Sequence, residues 1–418
     1  MGMLVDLAYL AGVTVASPVL IPRLVLRGRH RTDWAARFGE TRDLGSTSQP
    51  RILIHAVSVG EVNAIKVLVR TLLESDRAPE VVVAVTTDTG FRRAVELYDE
   101  RCHVVRYPLD LGWSVRRFLD SVRPDVAAMV ELELWPNFTA ECARRGIPLA
   151  VVNGRLSSRS HRGYRRARPF IRPMFGRVEC AGVQNQEYAS RFEDLGTPRG
   201  SIVRTGTMKW DAAIIEDSVE GADELAERLG IDRARPLVVA GSTAPDEHRL
   251  LRDSVPDGAQ LLCAPRRPEW FDDAAEVLVG CARRSRGDRG SQTGRFLLDT
   301  IGELRMAYAL ADVVVVGRSF GSLHGSDMME PAALGKPVVV GPSTSDFTET
   351  VEKLAAGGGI VVTDRDDLKH ELGALLRDAE RREHLASNAR SVIRAEQGAS
   401  ERTSELLLSL LEGGGADA

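Results

Sequence analysis

From about residue 50 onward, short runs of β-branched and other apolar residues alternate with stretches that have the apolar spacing of amphipathic helices. This alternation is typical of parallel sheets covered by helices. The predicted strands form two series, at residues 51–57, 81–87, 102–106, 126–130, 147–152, 179–183 and 202–204, and at 236–240, 260–264, 295–298, 313–317, 337–340 and 359–362. The sequence therefore predicts an α/β protein with two doubly wound, Rossmann-like halves.

Between the two series, residues 211–235 are polar and acidic without a strand pattern, which indicates a linker. In such a pair we expect a ligand cleft where the strand ends of both halves face each other. The predicted parts are an N-terminal membrane segment with a basic flank at 1–35, a first Rossmann-like domain at 36–210, the linker, a second Rossmann-like domain at 236–395, and a C-terminal helix and tail at 396–418.

The N-terminal segment is apolar over residues 4–21, apart from Asp6, and four arginines follow between residues 23 and 31. A cleaved signal peptide carries its positive charge before the apolar run, so this order indicates an uncleaved anchor with the rest of the chain on the cytoplasmic side. Asp6 and Pro18 weaken a full span. A helix lying in the membrane interface and an amphipathic helix packed on the protein therefore stay open as alternatives.

Composition excludes some partners and sites. The formal net charge of −4 gives no electrostatic reason to expect nucleic acid. Five cysteines are scattered without a C-x-x-C pair or a nearby histidine cluster, which argues against structural zinc and for a reducing compartment. The motifs after the predicted strands contain no Asp-x-Asp pattern, so no metal is expected.

Three acidic residues of the first half follow predicted strands. Glu61 comes after the first strand, in the first turn of a helix, at the sheet edge where α/β proteins bind ligands, and is suited to act as a general base. Alternatively, it only favours the helix N-terminus through the dipole. Glu131 and Glu133 follow the strand at 126–130; if the strand continues, both point to one side, and one must be solvated, paired or functional.

Basic residues follow at the same edge. Residues 153–160 place Arg155 and Arg159 after the next strand, where they are suited to hold an anionic sugar or phosphate. Lys209, near the end of the first series, is expected close to the cleft.

A glycine-rich loop follows the strand at 313–317. Its glycines at 317, 321 and 325 let backbone N–H groups approach a phosphate, and Glu330 in the following helix is placed to accept from ribose hydroxyls. Asp327 and Glu330 have equally the spacing of an N-cap and capping box, so both interpretations stay open. The polar groups of other stretches near strand ends are expected to converge with Glu330 on one rim: residues 241–243 with Glu247, 265–269 and 299–304.

With these motifs the chain resembles the 3-deoxy-D-manno-octulosonic acid (Kdo) transferases of lipopolysaccharide synthesis, a glycosyltransferase family with the two-Rossmann GT-B fold. The resemblance runs nearly end to end. The motifs that carry it, after the apolar N-terminal segment, are 37–40, 58–61, 86–90, 107–110, 131–137, 153–160, 206–211, 241–243, 265–266, 302–304 and 330–342.

The resemblance implies inverting transfer of Kdo from CMP-Kdo to a hydroxyl of a lipid A precursor at the cytoplasmic face of the inner membrane, without a metal or other cofactor. It implies that Glu61 is the catalytic base and that Glu131 and Lys209 support the transition state. The positions that match CMP-holding stretches are Pro265, Arg266, Ile301, Gly302, Glu303, Asp327, Met328, Met329 and Glu330.

One loop departs from the family pattern. Where the family usually has Gly-Gly-His-Asn before Leu-Glu-Pro, residues 324–327 read His-Gly-Ser-Asp, and Met329 replaces the leucine; Ala244 stands where histidine is usual. A carboxylate at 327 repels a phosphate that it faces but suits an N-cap pointing away. Two alternatives follow: a GT-B transferase or epimerase that uses another nucleotide-activated sugar, and a non-catalytic membrane-bound relative with an altered CMP loop.

Overall fold

The computed structural model describes Asp6, Tyr9 and residues 32–413. The predicted membrane segment at 4–21 lies outside the described residues, apart from Asp6 and Tyr9. Across the part of the chain that is described, no helix combines the length and the apolar character that a membrane crossing requires.

The described residues fall into two compact units, one within Met1–Ala212 and Gln397–Ala418 and the other within Ala213–Glu396. Most of the segment 211–235, for which the sequence indicated a linker, lies in the second unit and contains a helix at Ala222–Leu229.

The first unit is built on a parallel sheet whose strand order is 3-2-1-4-5-6-7. The order reverses between β1 and β4, which are hydrogen-bonded neighbours, and such a reversal is where doubly wound sheets bind ligands. The strands are β1 (Arg51–Ala56), β2 (Glu80–Val85), β3 (His103–Arg106), β4 (Val126–Val130), β5 (Leu149–Gly154), β6 (Cys180–Val183) and β7 (Ile202–Arg204).

The second unit has a second parallel sheet, with strand order 10-11-9-8-12-13-14 and the reversal between β8 and β12. All thirteen predicted strands are present, and the two-residue β10 is too short to leave a pattern in the sequence. The strands are β8 (Leu237–Thr243), β9 (Gln260–Pro265), β10 (Ala282–Arg283), β11 (Arg295–Leu297), β12 (Val313–Val316), β13 (Val338–Val340) and β14 (Ile360–Val362).

Helices cover both sheets. In the first unit they are α1 (Trp34–Arg37), α2 (Val59–Ala64), α3 (Lys66–Leu73), α4 (Asp88–Tyr98), α5 (Gly112–Val122), α6 (Pro136–Arg145), α7 (Ser158–Arg166), α8 (Arg168–Phe175) and α9 (Gln186–Leu195). In the second they are α10 (Ala222–Leu229), α11 (Pro245–Ser254), α12 (Phe271–Val277), α13 (Leu304–Leu310), α14 (Met329–Ala333), α15 (Thr348–Ala356), α16 (Leu368–Arg377) and α17 (Ala379–Glu396). The last helix, α18 (Ala399–Gly413), belongs to the first unit.

The core of the first unit lies on both faces of its sheet. Leu53 packs into one apolar cluster, whereas its neighbours Ile52 and Ile54 pack into the other, because successive side chains of a strand point to opposite faces. Ala399 and Leu407 of α18 complete the second cluster. The last helix is therefore part of this core.

Several motif residues of the first half hold loops together. Asp110 accepts hydrogen bonds from the backbone N–H groups of Asn137 (3.0 Å) and Phe138 (2.8 Å), and from the hydroxyl of Tyr9 (3.0 Å). Burial raises the pKa of Asp110 to about 6. The guanidinium of Arg37 donates to the carbonyl oxygen of Thr86. These residues position the carboxyl edge of the first sheet.

Candidate active site

Left-handed backbone marks the carboxyl edges of both sheets. Four of the six non-glycine residues with positive φ in the described chain lie there: Glu131 (58°), Asn153 (54°), Ser242 (56°) and Arg318 (60°). Such a conformation costs on the order of 1–2 kcal/mol per residue and persists where the surroundings hold it, often at functional sites. Each sheet thus carries two such residues close to its strand-order reversal.

Glu61 lies at the start of α2, directly after β1. Its Oε1 accepts from the Ser58 hydroxyl at 3.0 Å, and its Oε2 accepts from the Val57 N–H at 2.8 Å. Ser58 is the N-cap residue of α2 and accepts from the Glu61 N–H. Glu61 is therefore hydrogen-bonded to the N-cap residue of α2, and these bonds fix the orientation of its carboxylate.

The pKa of Glu61 is raised, chiefly by burial. The negative charges of Glu131 and Glu133 raise it further, whereas the bonds from Val57 and Ser58 lower it. Three carboxylates therefore lie close enough at this edge to influence one another. A raised pKa makes Glu61 a stronger proton acceptor in its ionised form.

Glu131 and Glu133 do not continue a strand. The condition under which both side chains would point to one side is not met, because β4 ends at Val130 and Glu131 has left-handed backbone. Glu131 pairs with Arg155 (Oε2 to Nε, 2.7 Å), and Glu133 accepts from the indole N–H of Trp135 at 3.0 Å. Both carboxylates thus have partners, as the cost of burying them required.

Lys209 is exposed, between the buried Met208 and Trp210. Its backbone N–H donates to the Thr207 hydroxyl. Among the described residues its ammonium group has no hydrogen bond or ion pair with Glu61 or Glu131.

A cavity of about 370 Å³ lies at the carboxyl edge of the second sheet, within the size range of small-molecule sites. The left-handed residues Ser242 and Arg318 line it, together with Tyr308 and Phe347. Predicted nucleotide-site residues on its wall are Pro265, Arg266, Ile301, Gly302, Asp327 and Glu330.

The other three predicted nucleotide-site residues lie away from the cavity wall. Met328 and Met329 are buried. Glu303 pairs with Arg284 at 2.9 Å and accepts from the hydroxyl of Thr300.

The glycine-rich loop after β12 encloses a carboxylate of the protein itself. Glu247 is fully buried, and it accepts from the N–H groups of Arg318 (2.8 Å), Ser319 (2.9 Å), Phe320 (3.0 Å) and Ala244 (2.9 Å). The expectation that Glu247 lies on a polar rim is wrong. Its carboxylate holds the loop in place.

The helix after the loop is short and begins later than expected. The N-cap residue of α14 is Met328, which has no side-chain cap bond, so the N-cap and capping-box interpretation of Asp327 and Glu330 is wrong. Asp327 Oδ1 accepts from the Met329 N–H at 2.8 Å, and Glu330 pairs with Arg305 at 3.6 Å. Burial raises the pKa of Glu330, and Arg305 opposes the shift.

Arg318 is the residue that sequence reasoning missed. In the sequence, Arg318 can be recognised as a long cationic side chain that directly follows Gly317 at the end of a strand. In the structure, this position has left-handed backbone. In the described chain, no group of three or more His, Cys, Asp or Glu residues is arranged to hold a metal ion.

Comparison with known proteins relates both units to one family. The family described as 3-Deoxy-D-manno-octulosonic-acid transferase (kdotransferase) matches residues 32–212. The 3-deoxy-D-manno-octulosonic acid transferase of Haemophilus influenzae is 31% identical over 398 residues, covering 92% of this chain and 92% of the relative. That of Bordetella pertussis is 31% identical over 397 residues, covering 89% of this chain and 90% of the relative.

A solved UDP-N-acetylglucosamine 2-epimerase is 14% identical, with a TM-score of 0.58, and covers 89% of this chain and 98% of its own. This likeness shows the fold, and it confirms the predicted GT-B class of two doubly wound units. The identity to the transferases extends over both units, which confirms the resemblance found in the sequence. The chain belongs to the 3-deoxy-D-manno-octulosonic acid transferase family.

Proposed function

We propose that the protein transfers Kdo from CMP-Kdo to a hydroxyl of a lipid A precursor, with inversion at the anomeric carbon. The observation that carries the proposal is Glu61 at the strand-order reversal of the first sheet, with its carboxylate oriented by two hydrogen bonds and its pKa raised. Glu61 takes the proton of the acceptor hydroxyl while that oxygen bonds to the anomeric carbon, and CMP leaves with the electrons of the broken bond. Glu131 and Lys209 support the transition state.

The second unit binds the donor in this proposal. The cavity at the end of β9 and β12 has the size of a small-molecule site, and the exposed Arg266 on its wall supplies a cation for the CMP phosphate. Because a phosphate that is met by cations leaves readily, the proposed reaction requires no metal.

A basic surface on the first unit supports an anionic acceptor at a membrane. Residues 142–178 contain no Asp or Glu. On α7 and α8, Arg159, Arg162, Arg166 and Arg172 are exposed without an ion-pair partner among the described residues, and the Phe170 side chain is 78% exposed. Arginines beside an exposed aromatic suit phosphate groups at a lipid surface. We place this surface at the cytoplasmic face of the inner membrane.

The test is transfer of radiolabelled Kdo from CMP-Kdo to a lipid A precursor. Glu61→Gln keeps the shape of the side chain and removes the base, so we expect transfer to fall by about 10²–10⁴-fold. Glu74→Gln, at an exposed position of the same unit, is the matched control. Full activity in a folded Glu61→Gln variant would exclude Glu61 as the base.

A thermal-shift comparison of CMP, UDP and GDP tests the donor separately, because a ligand that binds only the native state raises Tm. Stabilisation by CMP alone is expected. Stabilisation by UDP or GDP instead would favour a different nucleotide sugar, and no response to any nucleotide would favour a non-catalytic relative.

A further inference from the structure

We propose that Arg318 binds the carboxylate of the sugar acid in the donor and is a specificity-determining residue of this chain. The inference rests on the proposed function, because it requires a nucleotide-activated sugar acid in the cavity of the second unit. It concerns a residue that the resemblance to the family does not assign.

The backbone at Arg318 is held by hydrogen bonds to a buried carboxylate. Its N–H and those of the next two residues all donate to the buried Glu247 carboxylate. Gly317 packs so closely that an added Cβ would lie 2.6 Å from Thr243 Cα and 2.9 Å from Glu247 Oε2. The loop therefore has little freedom, and it holds a non-glycine residue at φ 60° on the cavity wall. A long cationic side chain in this strained position indicates a role in binding.

The charges on the cavity wall fit a ligand with two negative groups. Arg266 and Arg318 both line the cavity, and neither guanidinium has an ion-pair partner among the residues that are described. The charge of Glu330 is met by Arg305, and Asp327 accepts from a backbone N–H. A CMP-linked sugar acid carries one phosphate charge and one carboxylate, and guanidinium groups bind both through paired N–H donors.

Each of the two arginines is assigned to one of the two negative groups, the phosphate or the carboxylate. Arg266 directly follows β9 and belongs to a stretch whose resemblance implies CMP binding. Arg318 follows β12 at the strand-order reversal, beside β8 and the left-handed Ser242. With the phosphate assigned to Arg266, Arg318 is the cation left for the carboxylate.

The experiment compares binding of CMP and of CMP-Kdo by calorimetry, together with the KM for CMP-Kdo in the transfer assay. Arg318→Met is expected to raise the KM for CMP-Kdo by about 10- to 100-fold, as for loss of a hydrogen bond to a charged group, while the Kd for CMP changes less than about twofold. Arg318→Lys should keep part of the affinity. Arg249→Met, at an exposed position of the same unit outside the cavity, should leave both values unchanged.

Three results would overturn the inference while transfer by the unmodified protein persists. They are an unchanged KM for CMP-Kdo in Arg318→Met, a weakening of CMP binding as large as that of CMP-Kdo, and restoration of Arg318→Met by Asp327→Asn. Restoration would mean that Arg318 only offsets the charge of Asp327. Arg318→Gly, which relieves the left-handed backbone, separates loss of binding from misfolding. Absence of transfer and of CMP binding in the unmodified protein would overturn the proposed function and this inference together.

Discussion

Ser58 and Glu61 are hydrogen-bonded to each other in both directions: Glu61 Oε1 accepts from the Ser58 hydroxyl at 3.0 Å, and Ser58 Oγ accepts from the Glu61 N–H at 3.4 Å. The first bond stabilises the ionised carboxylate and lowers the pKa of Glu61, in opposition to burial. The N-cap residue of α2 therefore also lowers the pKa of the proposed base.

Ser58→Ala should raise the pKa of Glu61 further, because the hydroxyl that stabilises the charged form is lost. Since the base must be ionised, the acidic limb of kcat/KM against pH should move to higher pH. Loss of the N-cap should also lower the free energy of unfolding by about 1 kcal/mol. Ser75→Ala at the end of α3 is the control, and an unmoved limb in Ser58→Ala would contradict the prediction.

Glu133→Gln should have the opposite effect on the same profile. The negative charge of Glu133 raises the pKa of Glu61, so its removal should lower that pKa and move the acidic limb to lower pH. The glutamine retains an oxygen that can accept from the Trp135 indole. A shift to higher pH would show that another group controls the limb.

Glu247→Gln should destabilise the second unit. The carboxylate accepts four backbone N–H groups, and an amide offers one oxygen and adds donors where only donors approach. We expect a loss of about 2–4 kcal/mol in the free energy of unfolding, measured by urea denaturation, together with weaker CMP binding. Glu269→Gln, at an exposed position, is the matched control. Unchanged stability would show that the loop does not depend on Glu247.

His55 should make the first unit acid-sensitive. The ring is fully buried, stacks on Tyr107 and bonds Thr86, and burial lowers its pKa from 6.5 to about 3. Below pH 6.5 the unfolded chain binds a proton at His55 that the folded state does not bind. The contribution of His55 to the free energy of unfolding is therefore complete above pH 6.5 and falls as the pH drops towards 3. The loss should approach about 1.4 kcal/mol per pH unit.

The check on His55 is urea denaturation at pH 7, 6 and 5. His55→Phe keeps an aromatic ring on Tyr107 and removes the titrating group, so its unfolding free energy should fall less steeply with acid. Parallel slopes in the two proteins would mean that His55 is protonated in the folded state.

The basic surface on α7 and α8 should bind anionic vesicles. Changing Arg162 and Arg166 to Gln should weaken the affinity for phosphatidylglycerol vesicles, measured by sedimentation, by about 30-fold, because each surface cation contributes about 1 kcal/mol. The difference should shrink as salt is raised. Arg123→Gln together with Arg101→Gln, exposed arginines elsewhere in the unit, provides the control. Equal binding by both pairs would show that this surface is not where vesicles bind.

The strands were predictable because parallel strands buried on both faces read as continuous apolar runs, of which Val313–Val316 is the clearest. Because the strand ends were predictable, the placement of Glu61, Arg266 and Asp327 near the carboxyl edges of the sheets was predictable too. The left-handed turns at Glu131 and Arg318 were not predictable, because tertiary contacts hold them and no local residue preference does. The partner of the glycine-rich loop is Glu247, more than 70 residues earlier, and local spacing carries no information about such a contact.

The packing of α18 against the first sheet has a consequence for synthesis on the ribosome. Ala399 and Leu407 pack in one apolar cluster with Ile52 and Ile54. The core of the first unit can therefore be completed only after α18 has been synthesised and has left the ribosome. Ala213–Glu396 is continuous and can finish folding first. A chain truncated after Glu396 and released should therefore resist protease in its later segment while its earlier segment is still digested.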